Sequence, residues 1–194
     1  YVVLFTYIAI LDIGILVLSY FKKWNLVSRL AFIFTNLLFI GWLVLDLLSK
    51  ESHYLGAFIF AFVFYIIFMI TNIINNLRTK GKFSKSEIAI LTTNTFIFYG
   101  IGMLILENYQ PQFSGLFTAI VAILNLGFAW FLYKKFGLDK TTVYVFIGFT
   151  LTFITLAIPV QFQGYSITLF WAIEAILLMW LAQKSKIKEY RFIT

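Results

Sequence analysis

The sequence predicts an all-α membrane protein, a polytopic bundle of about seven transmembrane helices, and three observations carry that prediction. Of the 194 residues, 62% are hydrophobic and only 12% are charged, against about 45–50% apolar and about 25% charged in soluble domains. The mean hydropathy is +0.94. The apolar residues fall into runs of about 20, the length a helix needs to cross a bilayer, and short polar segments separate them.

The first run covers positions 1–20, is broken only by Asp12, and ends on Phe21-Lys22-Lys23-Trp24-Asn25, a basic and aromatic interface. The second, 26–48, carries Arg29 near enough to its start to snorkel and stops at Ser49-Lys50-Glu51-Ser52-His53. The third spans 54–74. Asn75 to Glu87 is the longest polar segment, and Ser84 with Glu87 has the spacing of a capping box, opening a fourth span over 88–106. Glu107 to Ser114, with Pro111, turns the chain into the fifth span, 115–133. A basic loop, Lys134 to Lys140, precedes the sixth, 142–160; Gln161-Phe162-Gln163-Gly164 then makes a tight connection to the seventh, 165–183, and a basic tail from Lys184 to Arg191. These runs are apolar on every face, whereas barrel strands alternate residue by residue. Helices are the remaining way to satisfy the backbone in lipid.

The net charge of +7 points to a nucleic-acid partner only if the basic residues share one stripe, and they do not. They are dealt out among the loops as topology signals. Seven alternating crossings put 14 of the 15 Lys and Arg on one side and leave Lys50 alone on the other. The positive-inside rule therefore starts Tyr1 outside and ends Thr194 in the cytoplasm. The first run has no basic n-region or small-residue cleavage site, so it does not read as a signal peptide. The start at Tyr1 suggests that residues 1–194 form a single transmembrane domain within a longer multi-pass protein. With no cysteine, a disulfide framework and a thiolate nucleophile are excluded.

An offset of 113 lays the fifth span on the first. It pairs Ala9-Ile10-Leu11-Asp12-Ile13-Gly14 with Ala122-Ile123-Leu124-Asn125-Leu126-Gly127, and Tyr20 with Tyr133. The offset covers an even number of helices, so the expected relation is a four-helix parallel repeat about an axis along the membrane normal, a symmetry that transporters use.

Two acids lie deep in the apolar runs: Asp12 in the first span and Glu174 in the seventh. A charged carboxylate there costs about 2.5–3.5 kcal/mol on insertion scales. No Lys or Arg stands at that depth to pair with them. Two readings stay open: protonated carboxyls that hydrogen-bond across helices, or a proton or cation site facing a cavity. Asn125 is the polar counterpart of Asp12, and Thr92, Thr95 and Tyr99 share one face of the fourth span. Gly100 and Gly102 there suggest close helix contact. The sole histidine, His53, sits in a loop and reads as a solvated residue. No phosphate loop, zinc motif or Ser-His-Asp constellation is present, so the sequence leans away from an enzyme and implies no cofactor or metal.

The stretch Tyr7 to Gly14, the basic Lys22-Lys23-Trp24 loop and the final hairpin resemble the bacterial polytopic membrane proteins grouped as domain of unknown function 2339. In the hairpin the likeness runs through Ala157-Ile158-Pro159-Val160, Gln161 to Gly164, Ile167-Thr168, Trp171, Glu174-Ala175, Leu177, Leu178 and Trp180. The resemblance implies a bacterial inner-membrane location and no particular activity. The partners expected are the lipid bilayer and either further chain or neighbouring membrane subunits, with no nucleic acid. Two functions follow as expectations: a transporter-like protein with Asp12 and Glu174 at a midplane site, or a non-transporting scaffold or membrane part of an envelope assembly.

Overall fold

The computed structural model describes residues 1–21, 25–49, 53–79, 83–136 and 140–162, together with 168, 169, 171–173, 175, 176 and 179. Six α-helices appear in that part of the chain: α1 (Val2–Phe21), α2 (Asn25–Leu48), α3 (Tyr54–Thr79), α4 (Lys85–Tyr109), α5 (Ser114–Phe136) and α6 (Lys140–Gln161). A 3-10 turn, Pro111–Phe113, joins α4 to α5. Each of the six is long and apolar enough to cross a bilayer, and the protein is a polytopic helical membrane bundle. The expected seventh span, 165–183, lies outside the residues described as an element, and Glu174 with it.

The helices overrun their expected bounds where polar ends continue the helical pattern. The segment Asn75 to Glu87 is shorter as a loop than its composition suggested, because α3 continues to Thr79 and α4 begins at Lys85. The capping box forms as spaced: the Glu87 backbone N–H donates to Ser84 Oγ, while the Ser84 N–H donates to Glu87 Oε2 at 2.7 Å. At the other end Pro159 falls in the last turn of α6, where its missing N–H leaves one helix bond unmade.

The bundle is apolar both inside and on its surface. α1 buries Phe5, Ile8, Ala9, Asp12 and Ser19, a single face at helical spacing, while Val3, Ile10 and Val17 stay exposed. α1 lies chiefly against α3, α3 against α4, and α5 along the length of α6. Exposed Leu, Ile, Val and Phe side chains continue around all six helices, and an apolar surface of that extent belongs in lipid. Aromatic rings fill the interior: Phe5 meets Phe39, Trp42, Phe60 and Phe64 at 4.9–6.2 Å between centroids.

Many residues paired by the offset are alike in burial, with exceptions at the first turn such as exposed Leu4 and buried Phe117. Phe5 and Thr118, Ile8 and Val121, Ala9 and Ala122, Asp12 and Asn125, and Ser19 and Leu132 are buried in both helices, while Ile10 and Ile123, Ile13 and Leu126, and Tyr20 and Tyr133 are exposed in both.

Of the two glycines expected at a helix contact, one is there. A Cβ at Gly102 would run into the Phe117 ring, while Gly100 faces open space. Phe117 is buried and hemmed in by Phe58 at 5.4 Å, Phe98 at 5.6 Å and Tyr99 at 6.0 Å, so the ring has no room to swing away. Gly102→Ala is expected to cost about 1–3 kcal/mol by overpacking, read as a lower unfolding midpoint in detergent. Gly100→Ala is expected to move that midpoint by less than about 0.5 kcal/mol equivalent.

Candidate functional site

Each of the six helices carries a buried polar side chain within about a turn of its own middle. In chain order these are Asp12, Thr35, Tyr65, Asn94 with Thr95, Asn125 and Thr150, with half-buried Asn36 beside Thr35. Since the helices span the bilayer, these residues form a polar layer at its centre, where an unpaired donor or acceptor is costly.

Two hydrogen bonds in this layer cross between helices. Thr35 Oγ1 donates to Asp12 Oδ2 at 3.0 Å, joining α2 to α1. Asn94 Nδ2 donates to the Tyr65 carbonyl at 3.0 Å, joining α4 to α3. One turn further along α4, Tyr99 Oη lies 3.2 Å from Thr118 Oγ1 on α5. The Thr118 hydroxyl donates to the Ser114 carbonyl, so Tyr99 is the natural donor in that pair. The remaining members bond back to their own helix one turn earlier: Asn36 to Phe32, Thr95 to Leu91, Asn125 to Val121 and Thr150 to Phe146. This back-bonding satisfies a polar group in lipid without a partner helix.

Asp12, the first predicted site residue, is 3% exposed and sealed against Thr35. Asn125 is fully buried, and its Oδ1 has no hydrogen-bond partner. At the offset of 113, Thr35 falls on Gly148, which carries no hydroxyl. Thr92 is half-buried and bonds to the Ile88 carbonyl. Thr92, Thr95 and Tyr99 share a face, and Tyr99 reaches Thr118 on a neighbouring helix. Glu174 lies outside the described residues.

Thr35, Asn36 and Asn94 have neither a charge nor a matched partner at the offset of 113 to set them apart in the sequence. Their signal was available as polar residues midway along apolar runs, since amides and hydroxyls are also costly in hydrocarbon. Asn36, Tyr65 and Asn94 share the lining of a cavity of about 10 Å³ between α2, α3 and α4, room for about one water molecule. His53 is also more engaged than a solvated loop residue. Its backbone N–H donates to Asp46 Oδ2 at 2.8 Å, its Nδ1 lies 3.0 Å from Asp46 Oδ1, and the Tyr1 ring sits 4.6 Å away.

Neither the curated proteins nor the solved structures compared with the chain contain a match. The family described as Predicted membrane protein (DUF2339) matches residues 1–193. An all-helical bundle with six bilayer-length apolar helices and a polar layer at mid-depth agrees with that description, and the chain belongs to the DUF2339 family of predicted membrane proteins.

Proposed function

We propose that this chain is a non-transporting membrane scaffold, the helical core of a larger membrane protein or assembly, held together by its mid-bilayer polar layer. The observation that carries this reading is the Asp12–Thr35 bond. A buried acid that spends its acceptor on a neighbouring helix acts as interhelical glue. Further chain or neighbouring subunits would cover the apolar surface that lipid does not.

A second reading, a transporter-like protein with Asp12 and Glu174 as a midplane proton or cation site, draws on one observation: the small polar-lined cavity beside Asn36, Tyr65 and Asn94 lies at that depth. Flux separates the two. The protein reconstituted into liposomes with an internal pH-sensitive dye is expected to show no proton or cation leak that depends on Asp12. A leak abolished by Asp12→Asn in a normally folded protein would replace the scaffold with the transporter.

The sequence resemblance and the lysine-rich basic loops support a bacterial inner membrane, with the basic ends of the helices in the cytoplasm. Cysteines at Lys82 and at exposed Gln112 test the orientation. An impermeant reagent applied to intact cells is expected to label Gln112→Cys and spare Lys82→Cys; the opposite pattern inverts the topology.

A further inference from the structure

A second polar cluster lies away from the mid-bilayer layer, where α2 begins, α3 approaches its end and α4 begins. There a partly enclosed cleft of about 20 Å³ is lined by Ser28, Arg29, Thr71, Asn72 and Glu87, with Phe68 and Ile90 behind. Glu87 is 5% exposed. Its Oε2 is held by the Ser84 N–H and hydroxyl, which fixes the carboxyl against the cleft. Arg29 is exposed, and its Nη2 donates to Ser86 Oγ across to α4 at 2.8 Å. That bond orients the guanidinium over the cleft and uses one of its five N–H donors. Lys85 is exposed beside it. Arg29 is the fifth residue of α2 and Glu87 the third of α4, so the cleft lies near the helix ends, at headgroup depth on the basic side of the bundle.

We infer that this cleft is a headgroup site for an aminophospholipid, taking a primary ammonium against Glu87 and the adjoining phosphate on Arg29. The volume admits one or two groups of about the size of water, which an –NH₃⁺ is and a trimethylammonium is not. The lining matches the donors of an ammonium: a carboxylate and the Thr71 hydroxyl oxygen accept hydrogen bonds. Arg29 presents the planar fork that suits a phosphate, and basic pockets between helices on this side of a membrane are lipid headgroup sites. A purely anionic headgroup would set its charge beside Glu87. A zwitterion with a primary amine meets both charges. The first turn of α4 is not the anchor, since Ser84 already occupies its cap.

The test is lipid retention by the intact protein in native mass spectrometry, with phosphatidylethanolamine and its mono-, di- and trimethylated forms offered in competition. A charge-assisted hydrogen bond is worth about 1.5–3 kcal/mol, so the fully methylated lipid is expected to bind at least about tenfold more weakly, with affinity falling at each methyl. Glu87→Gln keeps a capping-box residue at its position and is expected to abolish the preference for the primary amine. Arg29→Gln is expected to weaken retention of the whole series. Equal retention across the methylation series overturns the inference without recourse to any variant. So does phosphatidylglycerol displacing phosphatidylethanolamine, or a preference that survives Glu87→Gln. None of these outcomes depends on whether Asp12 is glue or an ion site.

Discussion

Phe5→Ala is expected to lower the stability of the bundle by about 3 kcal/mol. Phe5 is fully buried, and its ring contacts Phe39 and Trp42 on α2 and Phe60 and Phe64 on α3. Its loss would open a cavity where three helices meet. Phe→Ala substitutions in soluble cores cost about 3–5 kcal/mol, part of it lost transfer from water. Lipid is as apolar as the core, so that part shrinks in a membrane and the packing part remains. The lower end of the range is therefore the expectation. Unfolding of the purified protein in mixed micelles with increasing dodecyl sulfate measures it. Val3, one turn from the same end of α1 and 84% exposed, supplies the control: Val3→Ala is expected to cost less than about 0.5 kcal/mol. Equal losses at the two positions would show that α1 does not pack as described.

Asp12→Lys is the second large effect. It places a charge at mid-bilayer depth, which costs about 2.5–3.5 kcal/mol on insertion scales, and removes the acceptor of the Thr35 hydroxyl. Lysine also lacks the reach to snorkel freely, because Asp12 faces the interior and not lipid. The expected result is a several-fold loss of monodisperse protein on size-exclusion chromatography of membranes solubilised at equal expression. Asp12→Asn is expected to recover close to the wild-type amount, since an amide oxygen accepts the same bond. If Asn were as damaging as Lys, a charged Asp12 would be required and the glue account would fail.

What the sequence revealed divides along physical lines. Helix number over residues 1–161 follows from apolar runs matched to bilayer thickness, though the polar helix ends run past those limits, and the capping box at Ser84 and Glu87 follows from local spacing; both are short-range properties. The burial of Asp12 and Asn125 was legible because a polar group in hydrocarbon is costly wherever it points. What each one bonds to was not legible. Thr35 lies 23 positions from Asp12, and Asn94 reaches a carbonyl 29 positions away, so those pairings depend on the rotation of each helix about its axis. Gly100 and Gly102 make the same point, since two residues of helical rotation turn one to Phe117 and the other to open space. The cleft at Arg29 and Glu87 was hidden for a further reason. Each residue had a sufficient local role, snorkelling for one and capping for the other, and only the packing of α2 beside α4 brings them together.

The central claim is that the mid-bilayer polar groups hold helices to one another, and a double-mutant cycle between Asp12 and Thr35 measures it most directly. Asp12→Leu, Thr35→Val and the double variant are compared with the wild-type protein by unfolding in the same micelles. A coupling energy of about 0.6 kcal/mol, the average for interhelical hydrogen bonds in membranes, and no more than about 1.7 kcal/mol, is the predicted result. Losses that simply add, with no coupling between the two residues, would contradict the account.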